Sequence, residues 1–161
     1  MRRTALITGA SAGIGAALAR VYAEKGWDLI LVARRATPLE DLARELTVDY
    51  GATAVVLTVD LADPDAPHRL AKTLEQRGLT VDALINNAGF SRTTGFLATD
   101  PDDHAAMIDV MLTAPIALSR LLIPGMVERG FGRVLNVASL AGLMPATGGD
   151  TLYGPIKSFL I

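Results

Sequence analysis

The stretch Leu6-Ile7-Thr8-Gly9-Ala10-Ser11-Ala12-Gly13-Ile14-Gly15 decides the fold. An apolar run ends in a turn with three glycines and leads into an amphipathic segment, the pattern of a strand, a tight turn and a helix. Gly9, Gly13 and Gly15 stand where a backbone must turn sharply, approach an anion closely and pack a helix against its own strand. Each of those jobs suits a residue with no Cβ. A helix beginning near Ala12 would point unpaired N–H groups and the positive end of its dipole at whatever sits above the turn. A pyrophosphate is the natural occupant of such a position. The triplet alone would also fit a plain turn in some α/β protein, so its meaning depends on the rest of the chain.

The chain has 161 residues, of which 50% are hydrophobic and 20% charged, enough to bury one core and too few to expect two domains. Residues 1–161 are therefore expected to form a single domain. The formal net charge of -2 gives no electrostatic case for nucleic acid or an acidic membrane as partner, and neither is expected. With no cysteine there is no thiolate nucleophile and no thiolate metal site. The first strand begins almost at the N-terminus, so no leader is expected, and no apolar run approaches a membrane span. A cytoplasmic location is the default expectation.

Further along, Thr4 to Thr8, Leu29 to Ala33, Thr53 to Val59, Ala83 to Asn86 and Val134 to Ala138 read as strands, mostly without polar alternation. Strands buried on both faces look like this, which predicts a parallel sheet covered by helices. The first helix is predicted to bury Ile14, Leu18, Val21 and Tyr22. The second carries Leu39, Leu42 and Leu46, with Pro38 in its first turn. The third starts near Pro64 and carries Leu70 and Leu74. The fourth, the longest, runs from about Pro101 to Glu128. Thr99 or Asp100 can cap it, and Asp102 and Asp103 complement its dipole. Asp100, Asp102, Asp103 and His104 are better read as a capped helix start than as a metal site, and no metal is expected. Tyr153 begins a last helix with Ile156, Phe159 and Leu160 apolar. Strands and helices alternating over short links predict an α/β fold with a doubly wound, Rossmann-like parallel sheet, incomplete at its C-terminal end. Ligands of such sheets gather at the carboxyl ends of the strands, where the strand order reverses.

Four motifs in order give this chain a family resemblance. Thr8-Gly9-Ala10-Ser11-Ala12-Gly13-Ile14-Gly15, Asn86-Asn87-Ala88-Gly89, the strand Gly132 to Ala138 ending at Ser139, and Tyr153-Gly154-Pro155-Ile156-Lys157 resemble the TGxxxGxG loop, the NNAG segment, the serine-bearing strand and the YxxxK pair of the short-chain dehydrogenase/reductases. The resemblance implies an oxidoreductase that passes a hydride between a nicotinamide cofactor and a small-molecule carbonyl or alcohol. It implies Ser139, Tyr153 and Lys157 as catalytic residues, with Tyr153 the general acid or base. It also implies cofactor contacts from Thr8, Gly9, Ser11, Gly13, Ile14, Gly15, Asp60, Leu61, Asn87, Ala88, Gly89, Tyr153 and Lys157. Phe90, Ser91, Leu140 and Met144 would line part of the substrate pocket. A homodimer or homotetramer is expected, through the long fourth helix and the Tyr-Lys helix.

The residue types have physical reasons beside the resemblance. Tyr153 and Lys157 are one helical turn apart and share a face. An isolated tyrosine is a poor base at neutral pH, and a lysine ammonium about 4 Å away supplies on the order of 4 kcal/mol at an effective dielectric near 20. A serine hydroxyl can steady charge developing on a substrate oxygen. After the second strand an acidic residue would bond the ribose 2′-hydroxyl of NAD and repel a 2′-phosphate. Here Ala33 is followed by Arg34 and Arg35, whose forks suit phosphate, so the cofactor is expected to be NADP(H), with Arg34 the principal contact.

Two features depart from the family pattern. The asparagine usual in the fourth helix is replaced by Met111. The role that the resemblance gives that position is largely a main-chain carbonyl holding a water in a relay to the lysine. Pro115, four residues on, has no N–H with which to bond that carbonyl, so the helix is expected to kink there and free it. The second departure is the ending: the strands and substrate-binding segment that follow the Tyr-Lys helix in the family do not follow here, and a fragment of a longer polypeptide is the favoured explanation. A catalytically inactive nucleotide-binding module, acting as sensor or scaffold, is the alternative function, and a nucleotide-sugar epimerase of the related extended group is a weaker one.

Overall fold

Five short apolar runs become the strands of one parallel sheet in the computed structural model, which describes residues 2–92, 94–145 and 152–161. They are β1 (Thr4–Thr8), β2 (Asp28–Ala33), β3 (Ala54–Thr58), β4 (Ala83–Asn86) and β5 (Arg133–Asn136), in the order β3-β2-β1-β4-β5. The register places Leu6 beside Ile30 on one side and Leu84 on the other. Because the order reverses between β1 and β4, the carboxyl ends of these two strands frame the crevice in which such sheets bind ligands.

Alternate residues of the central strands feed two cores. Ile7, Leu29, Leu31 and Ile85 pack with Ala16 and Ala19 of α1 (Gly13–Glu24) and with Leu39, Leu42 and Leu46 of α2 (Ala36–Tyr50). Leu6, Ile30, Val32 and Leu84 pack with Leu70 and Leu74 of α3 (Ala66–Gln76) and Leu118 and Met126 further along. This is the doubly wound, Rossmann-like fold expected from the alternation of elements.

Expectation and structure part company in four places. The buried face of α1 consists of Gly15, Ala16, Ala19 and Ala23, whereas Ile14 and Val21 are exposed. Small residues let the helix axis lie close to the sheet, so the larger side chains are displaced to the flanks. Every residue of β5 is exposed, including Val134 and Leu135 at 41% each, because β5 is the edge strand and no described strand pairs with its outer side. The predicted long fourth helix is not one continuous α-helix. It comprises α4 (Pro101–Ile108), a π-helical turn (Asp109–Thr113) and α5 (Ala114–Glu128). Pro115 lies in the first turn of α5, where a missing N–H is tolerated, and the wider π turn just before it takes the place of the expected kink. Finally, Pro101–Glu128 is 28 residues long with a mean hydropathy of 1.7 over its most apolar window. That is long and apolar enough by length and composition to cross a membrane, contrary to the expectation that no run comes near. Here Met107, Val110, Met111, Ala114, Leu118 and Met126 of this segment are buried in the fold.

The start of α4 is capped as expected. The Asp100 side chain accepts a hydrogen bond from Asp102 N at 2.9 Å, while the Thr99 hydroxyl turns back to Gly95 O. Among the described residues no group of His, Asp and Glu could hold a metal ion. The last helix, α6 (Tyr153–Phe159), buries Ile156 and Lys157, whereas Phe159 is exposed.

Candidate functional site

Thr8 ties the two sides of the crevice together. Its buried hydroxyl donates to Ile85 O at 3.2 Å and accepts from Asn87 N at 3.0 Å and Ala88 N at 3.1 Å. Asn87 answers from β4's end, its Nδ2 donating to Thr8 O at 2.9 Å and Gly9 O at 3.2 Å. Space at this junction is used up: a Cβ on Gly15 would lie 2.5 Å from Asn87 Nδ2, and one on Gly9 2.8 Å from Ala88 Cα. Gly13 is different. It has a φ of +56° and nothing within 4 Å of where a Cβ would sit, so here the missing side chain leaves the helix N-terminus open to a ligand.

That opening belongs to a cleft of about 560 Å³. Gly9, Ser11, Gly13 and Ile14 form one wall, and Asn87, Ala88 and Gly89 another. Arg34 and Arg35, both exposed and without an ion-pair partner among the described residues, stand at one end with Asp60 and Leu61. Tyr153 and Lys157 lie at the cleft as well. The first turn of α1 carries no acidic side chain, so the cleft offers an anion open N–H groups, a helix dipole and two arginine forks. Those residues fit a dinucleotide that carries an extra phosphate near Arg34.

Four of the catalytic and cofactor-contact residues named from the sequence do not line this cleft: Thr8, Gly15, Met111 and Ser139. Thr8 and Gly15 shape the turn from behind. Ser139 caps the short 3-10 turn Leu140–Gly142, its Oγ accepting from Ala141 N at 3.2 Å. Met111 is fully buried beneath Gly89. Phe90 and Ser91 do line the cleft, whereas Leu140 and Met144 are exposed outside it.

Lys157 is 4% exposed, and its Nζ donates to Val137 O at 2.7 Å. Burial holds the amine below the usual lysine range. Val137 is itself fixed by its N–H, which donates to Asn86 O at 2.9 Å. No sequence signal pointed to Val137, since the group that matters is a main-chain carbonyl. The neighbouring Asn86 donates from Nδ2 to Asn136 Oδ1 at 2.9 Å, while its own buried Oδ1 has no partner among the described residues.

Residues 3–161 match the family described as short chain dehydrogenase. The chain belongs to that family. One short chain dehydrogenase relative, a "Probable NADP-dependent dehydrogenase" of Haemophilus influenzae, is 34% identical over 98% of this chain and 61% of its own length. A "Very-long-chain 3-oxoacyl-CoA reductase" of Anas platyrhynchos is 36% identical over 97% of the chain and 51% of its own. Among solved structures, a short-chain dehydrogenase from Sphingobium yanoikuyae in complex with NADPH superposes with a TM-score of 0.90 at 35% identity, covering 98% of this chain and 61% of that one. L-Sorbose reductase from Gluconobacter frateurii, complexed with NADPH and L-sorbose, gives 0.91 at 30% identity, over 99% and 60%. This short chain dehydrogenase chain thus spans between about half and two thirds of the length of these relatives.

Proposed function

We propose that this chain holds NADP(H) and the proton-transfer groups of an oxidoreductase acting on a carbonyl or alcohol. One observation carries the reading: Tyr153 and Lys157, a turn apart on α6, face the same cleft as the open glycine turn and Arg34, which has no ion-pair partner among the described residues. Gly9, Ser11, Gly13 and Ile14 would hold the pyrophosphate, with Arg34, helped by Arg35, on the 2′-phosphate. Asp60 and Leu61 would bound the adenine, and Asn87 to Gly89 would run along the cofactor. When bound, the nicotinamide supplies or accepts the hydride.

The remaining chemistry falls to the chain. Tyr153 donates a proton to the substrate oxygen during reduction and withdraws it during oxidation. The ammonium of Lys157 favours the ionised form of that hydroxyl. Ser139 steadies charge on the substrate oxygen by donating its O–H, since the bond its Oγ accepts from Ala141 N uses only a lone pair. Met111 contributes through its main-chain carbonyl, with Pro115 unable to occupy it. In this reading residues 1–161 are one nucleotide-binding domain of a homo-oligomer.

The test is NADPH oxidation by the full-length protein with a ketose, a bulky ketone and a 3-oxoacyl ester. Tyr153→Phe is expected to lower kcat by about 10²-fold or more while NADPH still binds. Binding of NADPH without turnover of any carbonyl would instead leave a nucleotide-binding module.

A further inference from the structure

Gly89 marks a meeting point. A Cβ there would lie 3.0 Å from Met111 Sδ, 3.3 Å from Met111 Cγ and 3.7 Å from Lys157 Nζ. The thioether and the ammonium therefore face the same small space, and the absence of a side chain at Gly89 is what lets both approach it. Around them, Met107, Val110, Ala114 and Ile156 are buried in one apolar cluster, with Tyr153 at its edge. Among the described residues Lys157 Nζ has one hydrogen-bond acceptor, Val137 O. An ammonium has three donors, and a thioether sulfur is at best a weak acceptor. Two donors are thus left without a strong acceptor among the described residues, and Lys157 borders the cleft.

We propose that Met111 is a positioning residue: its side chain, seated under Gly89, forms an apolar wall behind the Lys157 ammonium and, with Val137 O, turns the amine's remaining donors into the cleft. Sulfur suits the place because the unbranched thioether fills an irregular gap and offers little competition for the ammonium's hydrogen bonds. An amide at 111 would do the opposite. Its oxygen would be a strong acceptor on the buried side, drawing the ammonium back and relieving part of the cost of its burial. This deepens the reading of Lys157 as the cation that serves Tyr153, on which it rests.

The seating can be read without cofactor or substrate. Acetic anhydride acylates only the neutral amine, so the yield of acetylated α6 peptide against pH reports the ionisation of Lys157, with exposed Lys25 and Lys72 as references in the same digest. In the full-length protein, Met111→Asn is expected to move the Lys157 midpoint upward by at least about half a pH unit, with Lys25 and Lys72 unmoved. Met111→Leu, which keeps the wall apolar, is expected to retain the wild-type midpoint. Should the asparagine variant fail to fold, Met111→Gln places the same amide chemistry on a chain of similar length and carries the same expectation. An unchanged midpoint in the amide variant, or an equal shift in the leucine variant, overturns the proposal. If the midpoint moves as expected while the pH profile of turnover does not, the positioning stands and the pairing of Lys157 with Tyr153 fails.

Discussion

Lys157 carries a charge where burial penalises it, and the penalty has a sign that can be measured. Its folded-state value lies below the ordinary 10.5, so between the two values the unfolded chain binds more protons than the folded one. Stability therefore rises with pH across that window: the penalty is fully present below the lowered value and gone above 10.5. Urea unfolding of wild type and Lys157→Met, compared from neutral pH to about pH 10, is expected to show wild type gaining on the variant as pH rises. A constant difference contradicts this. At this scale the sequence was most legible where chemistry demands a particular side chain: three glycines, two arginines, a tyrosine and a lysine at fixed spacing. It was silent on Val137, because a main-chain carbonyl leaves no mark in residue type. The capping of the turn Leu140–Gly142 by Ser139 depends on the conformation of the residues that follow it.

The elements show where pattern reading succeeds and where it stops. Leu39, Leu42 and Leu46 of α2, and Leu70 and Leu74 of α3, fall on the buried face as their spacing predicts. In α1 the same rule chose Ile14 and Val21 over the alanines, because hydrophobicity was read without regard to how near the helix must come to the sheet. For the long helix, Pro115 signalled an interruption, yet not its kind. A π turn rather than a kink keeps α4 and α5 joined while burying Val110 and Met111. Pro115→Ala restores an N–H that can bond the carbonyl of Met111, favouring a regular α-helix through this region. The expected result is a fall in kcat/KM of about tenfold or more, with Met111→Leu nearly unchanged. Activity unaffected by Pro115→Ala would remove the π turn from the account.

For the whole molecule, alternating strands and helices were enough to fix the sheet and its two helical layers. Burial at the margins was not, because the sequence of a strand does not say whether it lies at the edge. Val134 and Leu135 read as core and are half open. The same holds for α5, where Ile116, Ile123 and Val127 line one exposed face. In the homo-oligomer proposed above, that face is the contact we propose between subunits, since exposed apolar patches mark interaction sites. Ile123→Glu combined with Val127→Glu is expected to shift the full-length protein to a smaller species in sedimentation velocity, and an unchanged sedimentation coefficient would place the contact elsewhere.

The central claim is the proposed NADP(H) site in the cleft between the glycine turn and α6, with Arg34 on the 2′-phosphate. Titration calorimetry of NADPH and NADH against wild type and Arg34→Ala tests this most directly. A charge-assisted hydrogen-bond pair to phosphate is worth about 1.5–3 kcal/mol, so NADPH should lose roughly tenfold to a hundredfold in affinity while NADH changes little. Equal losses for the two cofactors, or wild-type protein that binds NADH as tightly as NADPH, would contradict the account.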